Sequence, residues 1–220
     1  MSDRALRDWF RQRCVGEWFR PHVERYVVTA QALLTLSLMP DTRVLDVGGG
    51  SPLREWLGLQ CEVTGTDDGY DLRDIRAWPM PGCFDIVLCS EVLEHLKDTD
   101  DAPRDTFTCD GARTLLSRCA MSLKPGGWLV LTTPNGCATH MLSKICDELA
   151  PRMYAPHVRE YGPHEVSEML DSAGLQVERM ETRDVWGISI RRDVAAFANA
   201  TLSRPELHGE MILAMAARMS

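Results

Sequence analysis

Glu91, Glu94 and His95 stand at i, i+3 and i+4. On a helical turn that spacing puts two carboxylates and an imidazole on one face. Such a set can hold a divalent cation with open coordination positions. Hard oxygens with one imidazole suit magnesium or manganese better than structural zinc. A metal-free site would instead use His95 as general base, with Glu91, His140 and His157 as substitutes. His157 has a plainer reading too, as a loop histidine paired with Glu160.

A second constellation lies upstream. Val44, Leu45 and Val47 read as a buried parallel strand. Gly48, Gly49 and Gly50 follow, where the backbone must turn and approach a ligand closely. Ser51 and Pro52 suit the cap and first turn of a short helix, Leu53 to Leu57. Strand, glycine turn and helix N-terminus together make a nucleotide-type site. Asp67 ends the next apolar run, where a carboxylate can take both hydroxyls of a ribose. A dinucleotide fingerprint wants a third glycine at position 53, which is Leu53, so a nicotinamide oxidoreductase is disfavoured.

The pattern Asp46-x-Gly48-x-Gly50 resembles motif I of the class I S-adenosylmethionine-dependent methyltransferases. Pro52 stands where that family often has a further glycine. Phe84-Asp85, Glu91 to His95, Leu123 to Gly127 and Thr133-Pro134-Asn135 follow in the same order as in that family. The resemblance implies an α/β Rossmann-like class I methyltransferase fold. Its sheet would be mostly parallel, in the order 3-2-1-4-5-7-6, with helices on both faces. It also implies S-adenosylmethionine as cofactor, with Asp46 near the methionine end and Asp71, or else Asp74, near the adenine amine. The cofactor-binding set is then Asp46, Gly48, Gly50, Asp67, Asp71, Leu72 and Ser90.

The Glu-x-x-Glu-His arrangement resembles two branches of this family. One is the small-RNA 3′-terminal 2′-O-methyltransferases; the other is the O-methyltransferases of ubiquinone biosynthesis. The RNA branch completes a metal site with a histidine in a His-x-x-Glu-aromatic segment, the form of His157 to Tyr161. By that resemblance the metal ligands are Glu91, Glu94, His95 and His157, and the ion is magnesium or manganese. The same arrangement also occurs in metal-free members, where the glutamates orient loops and the histidine is a base or packs.

Several elements must position these residues. Residues 3–20 carry bulky side chains at helical spacing, either anchoring a helix to the core or closing over the site. The segment Tyr26 to Met39 reads as a packed helix, too short and too interrupted to span a bilayer. Strands are expected at Glu62 to Thr66, Phe84 to Ser90, Trp128 to Thr132 and Val177 to Thr182. So little chain separates the second strand from Phe84 that the third strand region must be shortened. Helices are expected over 110–123, 138–153 and 165–172. Residues 97–108 read as an acidic loop and 184–207 as a polar, partly helical excursion. Gly209 to Ala216 reads as a helix or a last strand, and the resemblance favours an antiparallel strand at the sheet edge. Trp78, Trp128 and Trp186 are expected in packing, and Asn135 either caps a turn or meets substrate.

The 220 residues suit one domain, divided as a helical cap (1–40), a cofactor-binding half (41–135) and a substrate-side half (136–220). A formal net charge of −8 disfavours non-specific nucleic-acid binding. Eight scattered cysteines without Cys-x-x-Cys spacing fit core packing in a reducing cytoplasm. No signal-peptide order is seen, and no membrane partner is expected. The expected function is O-methylation of a small-molecule acceptor, a hydroxylated metabolite such as a sugar or a phenolic compound. The alternatives are a non-catalytic cofactor-binding module and a methyltransferase acting on a nucleic-acid end. Oligomeric state is not legible.

Overall fold

The computed structural model describes residues 2–17, 19–66, 71–74, 78, 81–99 and 108–219. Its strands are β1 (Arg43–Val47), β2 (Glu62–Gly65), β3 (Phe84–Ser90), β4 (Leu123–Pro134), β5 (Leu175–Arg183) and β6 (Met211–Arg218). They form one sheet in the order β2-β1-β3-β4-β6-β5. β2, β1, β3 and β4 run parallel, and β6 is antiparallel to both its neighbours.

Side chains alternate between the two faces of the sheet, as a period of two requires. Val44, Ile86, Leu88, Val130, Leu213 and Met215 pack against α1 (Asp3–Arg13), α2 (Val23–Leu34) and α3 (Pro52–Gly58). Leu45, Val47, Val87, Cys89, Leu129, Leu131, Ile212 and Ala214 pack against α4 (Asp110–Ser122) and α6 (Pro163–Ser172). Burial on both faces explains why β3 and β4 read as continuous apolar runs. α5 (Thr139–Cys146) and α7 (Arg192–Thr201) pack on each other, on the stretches of chain that follow β4 and β5.

Three expectations need correction. The last strand lies between the fifth and sixth as the expected order 3-2-1-4-5-7-6 has it, so only its description as an edge strand is corrected: β6 is internal and β5 forms the edge. β4 starts at Leu123, because Leu123 already pairs with Phe84 before a register irregularity carries the chain through Pro125 to Gly127. The helix expected over 138–153 stops at Cys146, so the chain beyond is free to curl over the sheet ends. Between Gly65 and Phe84 the described residues contain no strand. Asp67, Trp18 and most of the acidic loop lie outside the described residues. Among the described residues no helix is long and apolar enough to cross a membrane.

Candidate functional site

A cleft of 460 Å³ opens at the carboxyl ends of β1 and β3. Strand order reverses between these two strands, which is where open α/β sheets bind ligands. The volume falls in the range of about 300–1,000 Å³ usual for small-molecule sites. Its floor is the glycine turn. Gly48 has φ +105°, and a Cβ there would lie 2.8 Å from Val92 Cγ2. Only glycine allows that backbone and that approach together. Ser51 then caps α3, accepting the Arg54 N–H at 3.2 Å. Arg54 reaches back under the turn, donating to the Asp46 carboxylate at 2.5 Å and to the Gly48 carbonyl at 2.7 Å. Asp46 thus lines the cleft while its charge is held by the helix it precedes.

The acidic motif does not lie on one helical turn. Glu91 adopts φ +58°, and only Leu93–His95 forms a short 3-10 turn. That kink sends Glu91 toward Arg25 of α2, 3.8 Å away, both side chains being almost buried. Glu94, His95 and His157 do converge: one ligand atom from each lies within 4.8 Å of the others. Glu94 Oε1 is 3.8 Å from His95 Nε2 and 4.0 Å from His157 Nε2. Glu94 Oε2 accepts the Thr133 hydroxyl at 3.0 Å, whereas Oε1 is buried without a hydrogen-bond partner among the described residues. Burial, then the neighbouring Glu91 charge, pushes the Glu94 carboxyl well above its ordinary range. Burial also raises Glu91 and lowers His95. Of the four residues expected as ligands, Glu94, His95 and His157 are brought together, and Glu91 turns to Arg25.

His157 owes its place to two contacts. Val158 N donates to the Glu94 carbonyl at 2.8 Å, and His157 Nδ1 meets Glu160 Oε1 at 2.6 Å. A carboxylate only accepts, so the ring proton sits on Nδ1 and Nε2 turns its lone pair toward Glu94. Glu160 Oε1 also takes the Met153 N–H at 2.7 Å, fixing a segment of the cleft wall.

Sequence reading missed much of that wall. Phe19, His22, Arg25 and Tyr26 reach it from the N-terminal helices, and Met153, Tyr154, Trp186 and Ile188 from the later loops. The N-terminal aromatics thus do both expected jobs: Phe10 packs on Tyr26 and Trp56, and Phe19 faces the cleft. Arg25 is buried, and its Nε has no hydrogen-bond partner among the described residues. Trp186, expected in packing, lines the cleft and donates its indole N–H to His22 Nδ1 at 3.1 Å. Burial beside Arg25 lowers the His22 pKa to about 4, so this ring stays neutral and can accept.

The other expected residues are placed as follows. Ser90 lines the cleft, its hydroxyl 2.9 Å from that of Thr132. Asp71 is held by Arg73, and the Leu72 carbonyl accepts from Trp78 at 2.8 Å. Neither lines the cleft among the described residues. His140 is buried in α5, away from the described lining. Asn135 caps the turn after β4, accepting from Cys137 N and donating to the Leu207 and Gly209 carbonyls.

A family model described as a methyltransferase domain matches residues 19–179, spanning the glycine turn, the Glu94–His95–His157 trio and the strands between. The chain belongs to this methyltransferase family. It is 30% identical to the ubiquinone biosynthesis O-methyltransferase of Chromobacterium violaceum, over 63% of this chain and 66% of that enzyme. It thus spans just under two thirds of that relative's length. The Thiobacillus denitrificans ubiquinone biosynthesis O-methyltransferase is 31% identical, over 74% of this chain and 76% of its own. A solved S-adenosylmethionine-dependent methyltransferase from Archaeoglobus fulgidus shares the fold, with TM-score 0.58 and 18% identity over 88% and 94% of the two chains.

The cofactor of a class I methyltransferase fits this cleft. The turn lines the cleft through Gly49, Gly50 and Ser51, where backbone without bulky side chains can approach a ligand, while Gly48, expected to bind cofactor, packs against Val92 and is not part of the described lining. Beside it, Arg25 and Glu91 offer one charge of each sign, complementary to the carboxylate and ammonium of an amino acid. A divalent cation fits the trio: an orphaned, buried carboxylate oxygen faces two imidazole nitrogens.

Proposed function

We propose that this methyltransferase transfers a methyl group to a hydroxyl of a small phenolic acceptor, with Glu94, His95 and His157 handling that hydroxyl. One observation carries the reading: the convergence of these three groups in the wall of the cleft that the glycine turn also lines. The similarity to O-methyltransferases of ubiquinone biosynthesis supports transfer to oxygen. The aromatic and apolar wall of Phe19, Tyr154, Trp186 and Ile188 favours a planar ring over a sugar.

S-adenosylmethionine supplies the methyl group. The glycine turn, Asp46 and Ser90 line its place at the ends of β1 and β3, and Arg25 with Glu91 receives its amino-acid end. Asp67 and Asp71 remain the proposed contacts for ribose and adenine. The acceptor ring lies against the Trp186 side of the cleft, which excludes water and limits its orientations. His157, with its proton fixed on Nδ1, presents a free Nε2 to the acceptor hydroxyl. Its proton can pass to that nitrogen, and the Glu160 carboxylate at the other ring nitrogen balances the resulting charge.

Glu94, His95 and His157 are also the residues that would hold magnesium or manganese. A cation bound there supplies Lewis acidity to the acceptor oxygen. The Glu160–His157 pair favours a second, metal-free form of the same reaction, because it orients the imidazole as a base on its own.

Manganese titration by calorimetry, with S-adenosylhomocysteine present, separates the two forms. Micromolar binding in the wild type that is lost in Glu94→Ala and His95→Ala establishes the metal form. No binding in the wild type leaves His157 as the base. Methylation of catechol and related phenols, read as labelled methyl incorporation, tests the acceptor class. Turnover of sugars or amines but no phenol would overturn it.

A further inference from the structure

We propose that Glu210 is the positioning residue for the acceptor: its buried carboxylate fixes residues 185–188, and with them the Trp186 and Ile188 wall of the cleft. This rests on the acceptor reading above. Glu210 is 5% exposed and stands directly before β6. Its Oε2 accepts the backbone N–H groups of Val185 at 2.8 Å, Trp186 at 2.5 Å and Gly187 at 3.1 Å. Its Oε1 accepts that of Ile188 at 2.5 Å. Residues 184–190 form neither helix nor strand, so these N–H groups have no ladder to join. One side chain satisfies four consecutive donors.

The sheet does not call for a charge here. The residues that follow, Met211 to Ala216, are apolar and buried. A carboxylate taken out of water is costly unless it is fully hydrogen-bonded. What the charge secures is the path of the segment. Glu210 is itself anchored, since its carbonyl accepts Asn135 N at 2.9 Å and its N–H donates to Asp184 at 3.3 Å. From that fixed point the segment carries Val185 into the core beneath and Trp186 and Ile188 to the cleft. The Trp186 indole is then set at its far end by His22, in an edge-on arrangement with ring centroids 6.4 Å apart. Trp186 is thus held from the sheet through its backbone and, through its ring, from His22 at the start of α2.

The test compares the wild type with Glu210→Gln and Glu210→Asp in the full chain. Catechol is the probe, bound to enzyme already saturated with S-adenosylhomocysteine. In Glu210→Gln an NH2 group faces N–H groups, so at least the Ile188 bond is lost and the others lose their charge assistance. Amide exchange at residues 185–188 should quicken about 100-fold and catechol affinity should fall about tenfold. S-adenosylhomocysteine affinity should stay within about twofold, because none of its proposed contacts lies in residues 185–188. Glu210→Asp keeps the charge with a shorter reach and should fall between, so the comparison survives a poorly folding glutamine variant. Unchanged exchange, or fast exchange with unchanged catechol affinity, would overturn the role of Glu210 while leaving the acceptor reading intact. A wild type that binds S-adenosylhomocysteine but no phenol would overturn the acceptor reading, and this role with it.

Discussion

Glu160 accepts the Nδ1 proton of His157 at 2.6 Å and so aims the opposite nitrogen of that ring at Glu94. The same oxygen takes the Met153 N–H, so one carboxylate sets both a reactive imidazole and part of the wall beside it. Outer partners of metal-binding histidines fix their tautomer and orientation. Glu160→Gln should therefore lower manganese affinity about 10- to 100-fold. In a metal-free enzyme it should lower kcat with little change in the acceptor KM. Calorimetry and steady-state kinetics on the same preparation distinguish the two. Equal manganese affinity and equal kcat would reduce Glu160 to a loop anchor.

Arg25 and Glu91 make a second coupled pair, 3.8 Å apart and nearly out of water. Removing one partner of a buried ion pair strands the other charge, at a cost of about 3–5 kcal/mol. Arg25→Met should lower stability toward that extent, somewhat less here because the pair is not fully enclosed. Adding Glu91→Gln should restore much of the stability, since no lone charge remains. It should not restore S-adenosylhomocysteine binding, because the cation proposed for the cofactor carboxylate is still missing. A double-mutant cycle read by urea denaturation and calorimetry checks both halves. Recovery of cofactor affinity in the double variant would remove Arg25 from the binding site.

What the sequence reveals here depends on how local the signal is. Val44 to Pro52 and Phe84 to Ser90 are legible because apolar runs, glycines and a helix cap lie within a few residues of one another. Glu94 and His95 are expected together from their spacing, His157 joins them only through a family resemblance, and the three do meet. Glu91 was misplaced because i, i+3, i+4 spacing presumes a helix, and a left-handed residue breaks that phase. Arg25 and Trp186 carry no motif at all. They become site residues only because α2 and residues 185–188, 160 positions apart in sequence, are brought to one cleft. The place of β6 is likewise non-local: its apolar pattern allows a strand, and its internal position, paired with β4 and β5, is legible only through the sheet order that the resemblance implies.

The His22 ring gives the fold a pH dependence with a defined sign. In the unfolded chain this histidine takes a proton near pH 6.5, and in the folded one only near pH 4. Between those values the unfolded state binds more protons, so stability falls as pH drops through that window. Burial is the first cause and the Arg25 charge the second. His22→Asn keeps an acceptor for the Trp186 indole but cannot titrate. Its urea midpoint should fall less between pH 7 and pH 4 than that of the wild type. Parallel curves for the two proteins would show that His22 carries no part of the acid sensitivity.

The Gly48 turn should tolerate no side chain, for two separable reasons. Its φ of +105° is outside the range of ordinary L residues, and a Cβ would meet Val92 Cγ2 at 2.8 Å. Backbone strain of this kind costs about 1–3 kcal/mol. Gly48→Ala should lose stability on that scale and weaken S-adenosylhomocysteine binding, because the turn must shift where the cofactor is proposed to lie. Val92→Ala in the same chain removes the steric clash but not the strain. The double variant should therefore regain part of the stability, while cofactor affinity stays low. Thermal denaturation with and without S-adenosylhomocysteine reads both effects. Full recovery of affinity in the double variant would mean that the clash with Val92, and not the shape of the turn, is what the glycine avoids.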